Sequence, residues 1–88
     1  PLSALRGGDA ARNAELARGV LEGAAGPIRD VVVANSAAAW AAWAAVTAPE
    51  RSLTDRIDEG LRKVTTALDS GAALDLLNRW IEVTSAMA

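Results

Sequence analysis

The chain has 88 residues and contains no histidine or cysteine, so disulfides and cysteine- or histidine-ligated zinc, the usual supports of a small fold, are excluded. Its net charge of -2 comes from 9 basic and 11 acidic residues spread along the chain, which leaves no basic surface for a nucleic-acid backbone. Much of the 51% hydrophobic content is alanine, so the composition favours closely packed helices around a thin core.

The first predicted helix runs from Ala10 to about Leu21. Asp9 stands where a carboxylate can cap the first turn, and Gly23 stands where the helix can end. The apolar positions of this helix form a narrow stripe, so we expect it to lie on the surface of something larger.

The second predicted helix begins at Pro27 and runs to about Val46. Between Val31 and Val46 only Asn35 and Ser36 are polar, so we expect this helix to be the buried centre of the unit. Its first three valines leave a short strand open as an alternative at that end. The apolar run is shorter than the roughly 20 residues that span a bilayer, so no membrane segment is predicted.

The third predicted helix follows Ser52, whose hydroxyl is placed to cap the first turn. Its apolar residues recur every three or four positions and predict one buried stripe centred on Leu61, comprising Leu53, Ile57, Leu61, Val64 and Leu68. Gly71 ends it, and a fourth helix with its own inward face, formed by Ala73, Leu74, Leu77, Trp80, Ile81 and Thr84, follows. The predicted fold class is therefore all-α with about four helices, in a single segment over residues 1–88 with no internal boundary.

One glycine-rich element, Gly7-Gly8-Asp9, invites a phosphate-binding interpretation, because backbone N–H groups at a helix start can hold an anion. Asp9 would place a negative charge where that anion should sit. The chain also contains neither G-x-G-x-x-G nor G-x-x-x-x-G-K-[ST]. A turn followed by a helix cap is therefore the favoured interpretation.

Three carboxylates of the third helix, Asp55, Asp58 and Glu59, could in principle serve acid-base chemistry or bind Mg²⁺. They alternate with basic residues, and Glu59 and Lys63 have the spacing of a helical ion pair. A solvated charged face is the favoured interpretation.

Polar and aromatic residues of the second helix could contact a ligand. Ser36 has no histidine base to make it a nucleophile, so we expect it to allow close helix packing and Asn35 to make a buried structural hydrogen bond. Trp40 and Trp43 could stack a ligand, although packing or an interface is the more common role. We therefore predict no catalytic, cofactor-binding or metal-binding residue in this chain.

Three motifs occur in a familiar order. They are L-x-G-G-D-x-x-x-N-A over residues 5–14, G-P-x-R-D-x-V-x-x-N over residues 26–35, and D-S-G-x-A over residues 69–73. Together they resemble the carboxy-terminal quarter of the anthranilate phosphoribosyltransferases. The resemblance covers nearly the whole chain.

This resemblance implies a parent enzyme of tryptophan biosynthesis that joins anthranilate to phosphoribosyl pyrophosphate with Mg²⁺, giving phosphoribosyl-anthranilate and pyrophosphate. It also implies a homodimer whose subunits have a small helical domain and a larger α/β domain, with these helices packed around the sheet of the larger one. The family's phosphate loop, anthranilate contacts and metal-binding acidic pair lie upstream of the matched region. The chain is therefore expected to be a structural segment without cofactors or catalytic residues of its own, and not an enzyme in isolation.

The alternative is an independent helical module that binds a protein partner through an alanine- and tryptophan-rich face. The chain shows no signal peptide or basic leader, and we expect a cytoplasmic protein. Trp40 and Trp43 stand where the family usually has smaller or aliphatic residues, so the resemblance does not predict how the second helix packs.

Overall fold

The computed structural model describes residues 1–87, and all regular structure within that range is helical. A 3₁₀ turn at Leu2–Leu5 precedes four α-helices: α1 (Ala10–Leu21), α2 (Pro27–Thr47), α3 (Leu53–Asp69) and α4 (Ala72–Met87). The all-α prediction is confirmed. The three valines near the start of α2 are helical and do not form a strand.

Two of the helices begin at side-chain caps that the sequence predicts. The Asp9 carboxylate accepts a hydrogen bond from the Arg12 backbone N–H at 2.8 Å, and the Ser52 hydroxyl accepts one from the Asp55 backbone N–H at 3.1 Å. Each cap satisfies a backbone donor that the first helical turn would leave unpaired. Glycines with positive φ follow the ends of α1 and α3, at Gly23 (93°) and Gly71 (84°).

The buried apolar core of the described residues is small and consists mostly of alanine. Its members are Val20, Ala37, Ala41, Ala44 and Leu68. The three alanines lie on one face of α2, at helical spacing, and this face packs against α3. Because an alanine buries little area, the stability of this contact depends on how closely the two helices approach.

Gly60 lets α3 approach α2 to backbone contact. A Cβ atom added at Gly60 would lie 2.8 Å from the Ala37 carbonyl oxygen and 3.2 Å from the Ala37 Cα atom. Gly60 is buried, although glycine is an unfavourable residue in a helix interior by about 1 kcal/mol relative to alanine. Close approach of the two backbones is the physical reason for a glycine at this position.

Two expectations about burial are wrong. Leu61 is not the centre of the buried stripe, since it is 38% exposed and the contact line on α3 is shifted toward Gly60 and Leu68. The second helix is not buried on every side either. Trp43 is 60% exposed and Val46 is 82% exposed, because α3 covers only one face of α2.

Helix α4 is the least packed of the four, and none of its described residues is buried. Its predicted inward face is covered only in part, since Ala73, Leu74 and Leu77 are half-buried while Trp80 and Ile81 are exposed. One polar contact joins α4 to α1, in which the Arg18 guanidinium donates to the Asn78 side-chain oxygen at 3.3 Å. No helix within residues 1–87 has both the length and the apolar character needed to cross a membrane.

Candidate functional site

The Gly7-Gly8-Asp9 element is closed by the side chain of Asn13. The Gly8 backbone N–H donates to the Asn13 side-chain oxygen at 2.9 Å, and the Asn13 amide donates back to the Gly8 carbonyl at 3.1 Å. A Cβ atom at Gly7 would lie 2.6 Å from the same Asn13 oxygen. The Gly8 donor that a phosphate would need is thus already paired, and the geometry is that of a clasped turn and cap.

Replacing Asn13 with alanine removes both hydrogen bonds of this clasp. Because the clasp is exposed to water, we expect a loss of about 1 kcal/mol in the free energy of unfolding, together with faster hydrogen exchange at the Gly8 amide. Hydrogen exchange followed by NMR checks this. Glu15→Ala is the control, since it removes only an exposed ion pair with Arg12 and should change stability by less than about 0.5 kcal/mol. Equal exchange rates at Gly8 in both variants would contradict the role of the clasp.

An ion pair joins the second and third motifs. The Arg29 guanidinium Nη1 lies 3.0 Å from Asp69 Oδ1, and the Arg29 side chain is only 16% exposed. The two groups form an ion pair but not a hydrogen bond, because their relative orientation is unfavourable. The buried Nη1 atom of Arg29 therefore has no hydrogen-bond partner among the described residues. Asp69 is more than half exposed, so the pair contributes at most about 1 kcal/mol. It fixes the start of α2 against the end of α3.

The glycines of the same motifs have backbone roles. Gly26 has a φ of 135° and precedes Pro27, which is the first residue of α2. A φ in that region is available to glycine and strained for other residues, while proline at a first helical position loses no needed donor. Gly71 makes the equivalent left-handed turn between α3 and α4.

The carboxylates of α3 do not gather into one site. Asp55 and Asp58 are exposed, and Glu59 pairs with Arg51 from the preceding connection. The expected ion pair of Glu59 with Lys63 is therefore wrong, because the Glu59 carboxylate binds Arg51 of the α2–α3 loop instead. Within residues 1–87, no group of three or more acidic side chains is arranged to hold a metal ion.

Asn35 does not make the buried hydrogen bond expected of it. It is exposed, and its side chain makes no hydrogen bond to any of residues 1–87. The side of α2 that carries Asn35 faces away from α3, which sequence periodicity could not reveal in a helix that is apolar all round. Ser36 is half-buried, and its expected role in close helix packing stays a prediction.

Trp40 and Trp43 contact each other. Their ring centroids are 5.9 Å apart and the ring planes are tilted by 58°, an arrangement in which the edge of one ring approaches the face of the other. Trp40 is half-buried and Trp43 is exposed. The two rings therefore pack against each other.

An open, largely apolar groove of about 590 Å³ runs along α4. It is lined by Ala73, Leu76, Leu77, Arg79, Trp80 and Val83. The groove has one charged residue, Arg79, at its edge and no acid, base or nucleophile converging on it. Its chemistry is that of a packing surface and does not resemble a reaction site.

Comparison with known proteins supports the resemblance seen in the motifs. Over 87 residues the chain is 47% identical to anthranilate phosphoribosyltransferase of Rhodococcus jostii, a match that covers 99% of this chain. It is 48% identical to the enzymes of that name from Salinispora arenicola, over 98% of the chain, and Thermomicrobium roseum, over 100%. The predicted recognition is confirmed by these matches.

The matches cover much less of the relatives than of this chain. The chain spans 24% of the length of the Rhodococcus jostii and Salinispora arenicola proteins and 23% of that from Thermomicrobium roseum. No protein-family model matches the chain. No solved structure matches it either. The share of about one quarter agrees with the carboxy-terminal quarter that the motifs indicate.

Proposed function

We propose that these residues are a structural segment, the carboxy-terminal quarter, of an enzyme that transfers a phosphoribosyl group to anthranilate. The observation that carries the proposal is the similarity of 42–48% identity to transferases of that name, running across nearly the entire chain. Similarity of this extent is more specific than any one motif alone.

The roles of the motif residues support a structural part for the segment. Asn13 clasps Gly8, Arg29 pairs with Asp69, and the three positive-φ glycines form turns. These contacts position helices and offer no nucleophile, base or phosphate cradle. In the proposal, the groups that bind anthranilate, the phosphoribosyl donor and Mg²⁺ belong to the rest of the protein. The described carboxylates do not fit a Mg²⁺ ion, because they are dispersed along the helices.

Apolar surface also supports the proposal. Large apolar side chains are exposed in the groove on α4, in half of the α3 stripe and on the far side of α2. Exposed apolar surface of this kind marks a site of contact with another layer or protein. We expect the sheet of the parent α/β domain to cover much of this surface, in a cytoplasmic and homodimeric enzyme.

The alternative function is an independent module that binds a protein partner. Exposed Trp43 is the feature that favours it, because large amphipathic rings are common at interfaces. Reading the gene upstream of Pro1 separates the two functions. Strands and a glycine-rich loop in the same reading frame support the transferase, and a start codon directly before Pro1 supports the module.

The proposal predicts that the full-length protein, supplied with anthranilate, phosphoribosyl pyrophosphate and Mg²⁺, releases pyrophosphate and forms phosphoribosyl-anthranilate. The 88 residues alone should neither turn over these substrates nor bind them, because the groups that bind them lie elsewhere in the protein. Pyrophosphate release checks the first part and titration calorimetry checks the second. Micromolar, Mg²⁺-dependent binding of phosphoribosyl pyrophosphate to the 88 residues would contradict the structural role, and an inactive full-length protein would contradict the transferase.

A further inference from the structure

Two polar residues of the second motif, Asp30 and Asn35, make no side-chain hydrogen bond or ion pair within the described residues. Asp30 is a charged residue in the first turn of α2, where the positive end of the helix dipole favours a carboxylate, whereas Asn35 has no such local role. It lies on the side of α2 opposite the buried alanines. With 3.6 residues per turn, six exposed residues point within about 60° of that direction. They are Val32, Asn35, Ala39, Ala42, Trp43 and Val46, and they are called the outer face of α2 below.

We infer that the outer face of α2 is the surface on which the rest of the protein docks, and that the side-chain amide of Asn35 hydrogen-bonds a polar group of the docked part. The inference rests on the proposed function, since it takes the occupant to be the portion of the protein outside these 88 residues. About three quarters of the length of each matched relative lies outside the matched region.

The layering of α2 requires a second neighbour. A helix that is polar on one side lies at a surface, whereas a helix that is apolar on both sides lies between two layers. One side of α2 already packs on α3 through Ala37, Ala41 and Ala44. The outer face carries no charge and only one polar residue, so its partner is a second apolar layer.

The size of the outer face favours a covalently connected occupant over a second copy of the chain. Helix α2 has 21 residues, hence a length of about 31 Å, and a strip about 10 Å wide along it covers about 300 Å². A stable interface between separate proteins buries about 800 Å² on each partner. A connected segment needs less area, because its effective concentration at the surface is already in the millimolar range.

The residues of the outer face also define the chemistry of the occupant. Ala39 and Ala42 allow a flat apolar layer to approach the helix backbone closely, and Trp43 and Val46 contribute larger apolar area at the end of the helix. Asn35 stands within this surface with two donors and an acceptor. An amide that is buried without hydrogen-bond partners is strongly unfavourable, so the docked layer supplies a hydrogen-bonding group opposite Asn35.

Thiol labelling of the full-length native protein tests the docking. Ala39→Cys and Ala42→Cys introduce small side chains on the outer face, and Asp58→Cys introduces one on the charged side of α3 as the control. If the outer face is covered, a maleimide should react with Cys at 39 or 42 about 100-fold more slowly than at 58, since reaction then requires local opening. Peptide mass spectrometry reads the modification at each site, and unfolding in urea should equalise the rates.

Two labelling results would overturn the inference. One is a rate at position 39 or 42 within about threefold of that at 58, which would mean that the outer face stays in water. The other is protection that disappears on dilution, which would mean that a second copy covers the face. Labelling is independent of catalysis, so protected cysteines in a protein without transferase activity would retain the docking and reject the proposed function.

The Asn35→Leu variant tests the hydrogen bond by the sign of its effect. On a solvated helix surface leucine is a better helix former than asparagine, so the thermal midpoint would stay or rise. In a covered face the partner group is left unpaired, so the midpoint of the full-length protein should fall by several degrees. A midpoint that is unchanged or higher, measured beside Ala38→Leu as the control for added bulk at the edge of the face, would refute the hydrogen bond.

Discussion

Gly60→Val is expected to lower the free energy of unfolding of the full-length protein by about 3 kcal/mol or more, because it forces two helix backbones apart. The first added atom would lie 2.8 Å from the Ala37 carbonyl oxygen. That oxygen belongs to the α2 backbone and cannot rotate away as a flexible side chain could. Separation of α2 from α3 also removes the contacts that bury Ala41 and Ala44.

The matched control is a glycine in another helix interior. Gly19 lies within α1, and the nearest atom to a Cβ added there is the Ala24 Cβ at 4.0 Å. Gly19→Ala should therefore leave stability unchanged or raise it by up to about 1 kcal/mol through helix propensity. Gly60→Ala makes the same chemical change but should lower stability by about 1–2 kcal/mol, since strain exceeds the gain in propensity. Urea unfolding followed by circular dichroism measures both, and effects of the same sign would show that the α2–α3 contact is not limited by Gly60.

Leu68→Asp is expected to destabilise the protein by several kcal/mol, because it places a carboxylate without a partner in the core. Leu68 is 5% exposed and is the only large aliphatic residue of α3 that is buried among the described residues. The introduced carboxylate would also be repelled by the carboxylate of Asp69, the next residue in the chain. Thermal unfolding of the full-length protein should show a large drop in midpoint or no folded protein at all.

A variant of Leu68 with similar volume separates the effect of charge from the effect of any change at this position. Leu68→Met keeps the volume and apolar character of the side chain, so it should cost less than about 1.5 kcal/mol. In the isolated 88-residue chain, Leu61→Asp should lower the free energy of unfolding by less than Leu68→Asp does, because Leu61 is 38% exposed. A Leu68→Met variant as unstable as Leu68→Asp would mean that shape, and not the buried charge, limits this site.

Local signals in the sequence predict the helices well. Caps at Asp9 and Ser52, the proline at the start of α2 and the terminal glycines act through contacts only a few residues apart, so they can be read without the fold. The same holds for the Gly7-Gly8-Asp9 turn, although the clasp by Asn13 needed the structure. The signal for the clasp in the sequence was Asn13, an amide side chain four residues after the cap Asp9.

Burial is less predictable, since it depends on which helix faces which. The apolar residues of α3 have the periodicity of a helix with one buried side. Hydropathy gives glycine little weight, yet Gly60 lies closer to α2 than Leu61 does. On α2 the apolar residues surround the helix, so periodicity gives no direction at all. For this reason the sequence could not predict that Asn35 is exposed, or which residues form the outer face of α2.

The α2–α3 contact has a kinetic consequence. Its partners are neighbours along the chain, so they can meet after closure of one short loop, and contacts of low sequence separation form early in folding. We therefore expect this helical hairpin to assemble before the layer over the outer face of α2 is in place. During that interval Trp43 and Val46 remain in water on an already formed helix, where they can associate with other nascent chains. The time between hairpin formation and docking is thus the period in which aggregation competes with folding.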